Sequence, residues 1–132
     1  MKLCLAILMI LVGSFAHAIE SPNGAWMIRD LAIDIFDCQP AVCGKILWLH
    51  DPLRRPTQCN KLIIWGLVPD GERHWSNGTI LDTKDGVSYN LSATLRPDGT
   101  LDARVFRGIP LIGRTEILHR VDPQTLNGIC QG

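Results

Sequence analysis

The chain of 132 residues carries 13 basic and 13 acidic side chains, so its formal net charge at pH 7 is zero. Proteins that bind nucleic acid concentrate basic residues on one face, and many peripheral membrane proteins carry polybasic segments. Neither pattern occurs in this sequence. We therefore expect no nucleic-acid partner and no polybasic membrane patch.

The first part of the chain has the pattern of a cleavable secretory signal. Lys2 precedes an apolar run from Leu3 to Val12, which leads into the small-x-small sequence Ala16-His17-Ala18. A run of this length is too short to cross a bilayer as a permanent helix. The alternative, an ordinary first helix of the domain, is disfavoured because no polar residue interrupts the run. We predict a signal peptide over residues 1–18, export to the periplasm, no membrane span after processing, and a single domain over residues 19–132.

Four cysteines follow the predicted cleavage site, and an even number in an exported chain of this size indicates two disulfides. They are Cys38, Cys43, Cys59 and Cys130. Residues 39–42 have the pattern of a turn, so we favour a bridge between Cys38 and Cys43. Cys59 then pairs with Cys130 by elimination, and that bridge closes a loop of about 70 residues, which would stabilise the fold by roughly 4 kcal/mol.

Alternation of apolar and polar residues dominates the remaining sequence and predicts strands rather than helices. Apolar residues occupy every second position from Val87 to Leu95 and again from Leu101 to Val105. The intervening Pro97-Asp98-Gly99 has turn chemistry, because proline presets φ and glycine tolerates a positive φ. These two segments should form a hairpin, and the same alternation from Leu31 to Ile35 predicts another strand. About eight short strands at regular spacing suit an all-β antiparallel barrel or sandwich.

Two segments, Gly44–Leu49 and Leu62–Val68, carry apolar residues on both faces. Each is either covered on both sides or lies where the barrel wall meets a ligand, a loop or a partner. The sequence leaves this choice open.

No catalytic constellation is recognisable. His50, His74 and His119 are candidate bases, but no Gly-x-Ser-x-Gly motif, phosphate-binding glycine loop or metal-binding histidine pair accompanies them. A zinc site built from the cysteines and these histidines is the alternative to disulfides, but the spacings match no standard ligand pattern. We therefore expect no enzymatic activity, no metal and no cofactor.

The aromatic residues indicate a binding site more clearly than the histidines indicate a catalytic one. Trp48, Trp65, Trp75 and Tyr89 could form the wall of an apolar cavity, with polar ring atoms that orient a ligand. The alternative is that these rings only fill the interior, because a small barrel needs bulky side chains there.

The two ends of the predicted barrel sequence are similar to those of lipocalins. Gly24-Ala25-Trp26 begins the first strand, and Arg114 or Arg120 belongs to the last. In lipocalins an early Trp packs beneath a late Arg at the closed end of the barrel. The resemblance implies a cation–π contact there, worth roughly 0.5–2 kcal/mol.

Four ordered motifs between Gly24 and Val121 resemble the proteobacterial envelope family DUF2147. The motifs are Cys43–Leu49, Trp75–Asp82, Asp85-Gly86 with Tyr89, and Arg107–Thr115. The resemblance implies a periplasmic, signal-bearing, small antiparallel lipocalin-like up-and-down barrel of about eight strands. It implies no established activity.

Most motif residues also have a structural explanation. Four glycines suit bulges or turns that need a positive φ: Gly78, Gly86, Gly108 and Gly113. Asp82 can accept hydrogen bonds from backbone donors in the turn before Gly86. Arg114-Thr115 is harder to explain by packing, because an inward Arg114 must meet a carboxylate, an aromatic ring or the negative group of a ligand.

We favour a non-enzymatic periplasmic binder of a small apolar or amphipathic ligand. The expected ligand-binding residues are Trp48, Trp65, Trp75, Tyr89 and Arg114. The alternative is a structural or protein-interaction module of the cell envelope, with a filled barrel and an exposed apolar face. A cavity of a few hundred Å³ would favour the first hypothesis, and a solid interior with an external apolar patch the second.

Overall fold

The structure is a computed structural model that describes residues 20–131, so the predicted signal peptide lies outside the described residues. Eight strands form a closed barrel in which each strand pairs with the next and the last pairs with the first. All eight pairings are antiparallel, which confirms the all-β up-and-down barrel and excludes the sandwich. The strands are β1 (Gly24–Ile28), β2 (Leu31–Asp37), β3 (Val42–Leu49), β4 (Leu62–Pro69), β5 (His74–Leu81), β6 (Ser88–Leu95), β7 (Leu101–Phe106) and β8 (Gly113–Arg120).

Short helical turns occupy two segments outside the strands. A 3-10 turn at Pro52–Arg54 and an α-helical turn at Arg55–Gln58 connect β3 to β4, and a 3-10 turn at Pro123–Thr125 follows β8. The first of these begins where the carboxylate of Asp51 accepts a hydrogen bond from the backbone N–H of Leu53 at 3.0 Å. Among residues 20–131, no helix is long and apolar enough to cross a membrane.

The alternating strand directions give the barrel two different ends. The β1–β2, β3–β4, β5–β6 and β7–β8 connections lie at one end, the open end, where Arg54 of the β3–β4 connection contacts Asp30 and Thr83 of two other turns. The residues before β1 cover the other end. There Trp26 is fully buried, and its indole N–H donates to the carbonyl of Pro22 at 2.7 Å. The chain that precedes β1 therefore closes the barrel floor.

Arg120 on β8 joins the last strand to the first at this closed end. Its guanidinium carbon lies 4.3 Å from the ring centroid of Trp26. Its terminal nitrogens donate to the carbonyls of Asn23 and Ser21 at 2.8 and 3.1 Å. Only two residue pairs join β1 to β8. The contacts of Arg120 therefore add to the few backbone hydrogen bonds that hold these two strands together. The lipocalin-like contact is present, and Arg120 rather than Arg114 makes it.

Both disulfides have the pairing that the sequence favours. Cys38–Cys43 ties together the two strands beside the β2–β3 turn. Cys59 and Cys130 are 71 residues apart, and on the chain-entropy model this bridge stabilises the fold by about 4 kcal/mol. The backbone N–H of Cys130 also donates to the carbonyl of Leu47 at 2.8 Å. The segment after β8 is therefore fixed against β3.

The two doubly apolar segments have different explanations. The C-terminal segment covers the outer face of β3, where the indole N–H of Trp48 donates to the carbonyl of Asn127 at 2.7 Å. On β4, by contrast, Leu62 and Trp65 are exposed on the outside of the barrel. The C-terminal segment therefore explains why Gly44–Leu49 is apolar on both faces. No part of the described chain covers Leu62 and Trp65 in the same way.

The motif glycines serve two different purposes. Gly86 and Gly108 adopt positive φ values of 72° and 75°, as predicted for turn positions. The same prediction was wrong for Gly78 and Gly113, which do not have a positive φ. A Cβ atom on Gly78 would lie 2.6 Å from the side chain of Leu67, and one on Gly113 would collide with the backbone of β7. Crowding by neighbouring strands therefore requires glycine at these two positions.

Asp82 and Thr115 fix the loops at the open end. The carboxylate of Asp82 accepts from the backbone N–H of Lys84 at 2.8 Å, which confirms its predicted role in the β5–β6 turn. The hydroxyl of Thr115 accepts from the guanidinium of Arg104 at 3.2 Å. Because Arg104 also donates to two carbonyls of the β7–β8 loop, Thr115 helps to position the group that holds this loop.

Replacement of Arg120 by Met should lower the free energy of unfolding by about 2 kcal/mol, because it removes the cation–π contact and two charge-assisted hydrogen bonds. Chemical denaturation of the wild-type and variant proteins measures this difference. Arg96→Met is the matched control, since Arg96 lies at the same end in a partly exposed ion pair with Asp102 at 3.5 Å. Loss of such a pair should cost less than about 1 kcal/mol. Equal losses in the two variants would contradict the role assigned to Arg120.

Candidate functional site

The barrel interior contains a cavity of about 150 Å³. The interior of an eight-stranded barrel is just wide enough to be filled by side chains or to hold one small ligand. Here Ala93 on β6 and Ala103 on β7 are paired across the strands, and both line the cavity. Their small side chains leave the space empty. The surrounding wall is largely apolar and includes Ile33, Ile35, Ile64, Leu67, Leu91 and Leu118.

Strand β8 brings charge into this wall. Its positions that line the cavity are, from the open end inward, Arg114, Glu116 and Leu118. The register pairs Arg114 with Val105 and Glu116 with Ala103, so Glu116 lies at the level of the small side chains. The side chain of Glu116 is 14% exposed. A carboxylate in such a position needs compensating partners.

Two arginines compensate the charge of Glu116. A terminal nitrogen of Arg29 and the Nε of Arg114 both donate to Glu116 Oε1, at 2.7 and 3.1 Å. Arg29 belongs to the β1–β2 turn, so these ion pairs join the neighbouring strands β1 and β8 at the cavity mouth. Because two guanidinium groups meet one carboxylate, the cluster carries an excess of positive charge.

Arg29 has an uncommon backbone conformation. Its φ is 51°, in the left-handed region that glycine and asparagine occupy more readily than arginine. Such a conformation costs about 1–3 kcal/mol in a non-glycine residue, and strain of this kind concentrates at functional sites. The β1–β2 turn thus holds a guanidinium over the mouth in spite of an unfavourable backbone geometry.

Tyr89 on β6 lies beside the same cluster. The guanidinium carbons of Arg107 and Arg114 are 5.5 and 5.9 Å from the centroid of its ring. Its hydroxyl donates to the carboxylate of Asp85 at 3.0 Å. This hydrogen bond, followed by partial desolvation and the negative charge of Asp85, raises the pKa of Tyr89, and the charge of Arg107 opposes part of the effect.

An open depression of about 220 Å³ adjoins the cavity at the rim of the barrel. The two spaces share the side chains of Tyr89, Val105 and Arg114. Arg107 and Ile112 form other parts of the depression. A molecule that fills the cavity and projects through the mouth would therefore meet the two guanidinium groups around Tyr89.

Three of the five residues expected to bind a ligand line the cavity, namely Trp75, Tyr89 and Arg114. The expectation was wrong for Trp48 and Trp65, which lie on the outside of the barrel wall. Trp48 packs beneath the C-terminal segment, and Trp65 is 36% exposed. Both rings belong to strands that are apolar on both faces, so alternation in the sequence gives no indication of which way either ring points.

The sequence patterns do not identify Glu116, Arg29 or Arg107 as site residues. Alternation could have found Glu116, because it shares one face of β8 with Arg114 and Leu118. No local pattern distinguishes Arg29, whose partner is 87 residues away in the chain. Within residues 20–131, no group of three or more His, Cys, Asp or Glu side chains is placed to hold a metal ion.

The phenol of Tyr89, the single tyrosine of the chain, should titrate above the ordinary pKa of about 10. The Asp85→Ala variant should have a lower tyrosine pKa, because the hydrogen bond and the negative charge that favour the neutral phenol are lost. The pH dependence of the tyrosinate absorbance measures both values. Since the folded state favours the neutral phenol, its stabilising effect is present below the ordinary pKa and is lost as the pH rises through the raised one.

Asp98→Ala is the control for this titration, because Asp98 lies in the β6–β7 turn at the closed end and accepts hydrogen bonds from Thr100 instead. This variant should retain the tyrosine pKa of the wild type. Identical titration of the wild-type and Asp85→Ala proteins would show that Asp85 does not control the phenol.

Comparisons with known proteins agree with this architecture. The structure is similar to that of a protein from the human pathogen Helicobacter pylori that is described as belonging to the lipocalin family, with a TM-score of 0.67 and 14% sequence identity. The match covers 80% of this chain and 86% of that chain, and at such low identity it establishes the fold alone. Among curated proteins, none matches the sequence. The model of a family described as "Uncharacterized protein conserved in bacteria (DUF2147)" matches residues 24–120. The chain therefore belongs to this bacterial family, and its fold is a lipocalin-like barrel.

Proposed function

We propose that the protein is a non-enzymatic periplasmic binder of a small apolar or amphipathic ligand, which enters the barrel from the open end. The observation that carries this proposal is the apolar cavity of about 150 Å³ beneath a polar mouth. An engineered protein cavity of about this size, lined by apolar side chains, stays dry and binds benzene or xenon. An unfilled core volume also lowers stability, and a bound apolar group would restore the missing contacts.

The size of the cavity restricts the ligand. Pockets that enclose drug-sized molecules have volumes of about 300–1,000 Å³, which is larger than this one. The ligand is therefore either very small or only partly enclosed. A partly enclosed ligand needs an apolar end for the wall around Ala93 and Ala103, and an end that tolerates the charges of Arg114 and Glu116 at the mouth. An amphipathic molecule satisfies both conditions.

The positions of the candidate bases support binding rather than catalysis. His50, His74 and His119 do not line the cavity. The Nδ1 atom of His74 lies 2.8 Å from the hydroxyl of Thr94, which gives this ring a local partner. The periplasmic location is supported by the signal pattern in residues 1–18 and by two disulfides, which persist in oxidising compartments.

A second candidate function, contact with a partner protein of the cell envelope, is favoured by the β7–β8 loop. Ile109, Leu111 and Ile112 are exposed there, and Leu111 is 84% exposed. The guanidinium of Arg104 donates to the carbonyls of Pro110 and Leu111 at 2.9 and 3.3 Å, which holds the loop in place. Exposed apolar clusters of this kind mark interaction sites. In this form the candidate does not depend on a filled barrel, since the exposed loop lies outside the cavity of about 150 Å³.

Ala103→Leu should weaken the binding of 1-octanol at least tenfold, because the longer side chain fills the cavity. Isothermal titration calorimetry on the purified, disulfide-bonded protein measures the affinity. The matched control is Ser92→Leu, which adds a similar side chain at a position of β6 that does not line the cavity.

The control should bind 1-octanol as the wild type does, and circular dichroism should show the same β content in all three proteins. Equal affinity of the Ala103→Leu and wild-type proteins would place the binding site outside the barrel. The absence of measurable heat with 1-octanol, benzene and octanoate in the wild type at both 15 and 35 °C would refute the proposed function, because apolar burial changes the heat capacity and cannot be silent at both temperatures.

A photo-crosslinking amino acid at Leu111 should capture a discrete partner protein in intact cells if the loop is an interaction site. The same amino acid at Gly99, in the β6–β7 turn at the opposite end, should not. Arg104→Gln should reduce the crosslinked product, because the loop loses the hydrogen bonds that hold it. Immunoblot and mass spectrometry measure the amount and identity of the crosslinked proteins. The same crosslinked proteins in equal amounts at Leu111 and Gly99 would contradict this second candidate.

A further inference from the structure

The guanidinium of Arg114 has donors that the protein does not use. Its Nε donates to Glu116, but within the described chain its two terminal nitrogens donate to no other atom. The side chain is 54% exposed, and it lines both the cavity and the adjoining depression. A guanidinium presents five N–H groups in a planar fork that matches carboxylate and phosphate oxygens. The terminal nitrogens are therefore available to a ligand at the mouth.

Arg107 presents a second available guanidinium on the same side of the mouth. Among the described residues it has no carboxylate within salt-bridge distance and no side-chain hydrogen bond, while its guanidinium carbon lies 5.5 Å from the ring centroid of Tyr89. Contact with this ring and with the wall of the depression limits the directions in which Arg107 can extend. The positive charge is thus positioned without being neutralised.

The charges around the mouth do not cancel. Five positive charges line the cavity or the depression, on Arg29, Arg54, Lys84, Arg107 and Arg114, whereas Asp30, Asp82, Asp85 and Glu116 contribute four negative ones. Asp85 is already engaged by the hydroxyl of Tyr89, and Glu116 by two arginines. One additional anionic group would balance the cluster.

The apolar and positive regions are continuous. The cavity and the depression share Tyr89 and Arg114, and the wall beneath them contains the side chains around Ala103. An alkyl chain in the cavity would therefore carry its head group directly to the two available guanidinium groups.

We propose that the ligand is a short-chain amphiphile with an anionic head group, a carboxylate or a phosphate monoester, which binds beside Tyr89 against Arg107 and Arg114. This inference rests on the proposed function of the cavity and defines the chemical class of its ligand. Glu116 has a particular part in this arrangement, because it competes with the ligand anion for Arg114 and Arg29. It also offsets part of the positive charge at the mouth when the ligand is absent.

The test compares four probes that share an alkyl chain and differ in the head group: octanoate, octyl phosphate, 1-octanol and octylammonium. Isothermal titration calorimetry at pH 7.5 gives a dissociation constant for each. The measured quantity is the anion preference, defined as the Kd of 1-octanol divided by that of octanoate or octyl phosphate. We expect an anion preference of about tenfold or more, since hydrogen bonds between charged groups are roughly twice as strong as neutral ones. The larger of the two preferences identifies the head group as carboxylate or phosphate.

Variants of the mouth should change the anion preference in opposite directions. The Arg107→Gln/Arg114→Gln double variant should reduce it to about one, because the available guanidinium groups are gone. Glu116→Gln should increase it several-fold, because the competing carboxylate is removed while a side chain of similar size remains. A misfolded protein cannot show such a gain. Lys61→Gln, which removes an exposed charge that does not line the cavity or the depression, should keep the wild-type value.

The outcomes separate this inference from the proposed function. Equal binding of octanoate, octyl phosphate and 1-octanol by the wild type would overturn the anionic head group and leave the cavity as a binding site. Tightest binding of octylammonium would also overturn it, since Glu116 would then be the partner of the ligand. A lower anion preference in Glu116→Gln has the same consequence. If none of the four probes binds, the proposed function fails, and this inference fails with it.

Discussion

The contact between Arg120 and Trp26 closes the barrel, and every feature of the candidate site depends on that closure. The seam between β1 and β8 has two residue pairs, whereas the neighbouring β7–β8 ladder has six. An open sheet would expose unpaired strand edges at this seam and would admit water to the interior. Because Arg120 packs on the Trp26 ring and also binds the carbonyls of the segment before β1, one side chain fixes both the seam and the floor. The ion pair from Arg29 to Glu116 joins the same two strands at the opposite end.

Strand β8 combines structural and functional positions along a single face. Toward the closed end this face carries Leu118, which belongs to the core, and toward the open end it carries Glu116 and Arg114. Charges in a barrel wall lower stability unless they are paired, and removal of one partner of a buried pair is more costly than replacement of both. The two arginines that meet Glu116 satisfy this requirement, and the small side chains beside it sacrifice packing contacts. Neither feature improves the stability of the empty barrel, and both are what the proposed ligand-binding function requires.

Local patterns in the sequence are sufficient for most of the fold. Alternation predicts the hairpin of β6 and β7, the spacing of turns predicts about eight strands, and the proline-containing turn favours the Cys38–Cys43 bridge. The failures arise where a position is determined by distant parts of the chain. Crowding from neighbouring strands, rather than a positive φ, explains Gly78. The C-terminal segment covers Trp48, which a reading of β3 alone cannot show. The cluster around Glu116 is assembled from β8, the β1–β2 turn and the β7–β8 loop, so its charge balance becomes visible only in three dimensions.

The two candidate functions share a structural element. The β7–β8 loop exposes Leu111 to solvent, and Ile112 of the same loop forms part of the depression beside Tyr89. Arg104 donates hydrogen bonds to two carbonyls of this loop. It therefore holds in place both the exposed apolar surface and the wall of the depression. A partner that contacts Ile112 would touch the wall of the depression, and a head group beside Arg107 would touch the base of the surface that the partner covers. Binding at the two places would then be coupled, and by linkage each would change the equilibrium affinity of the other by the same factor. The two proposed functions are therefore compatible, because the same loop would couple ligand binding to partner binding.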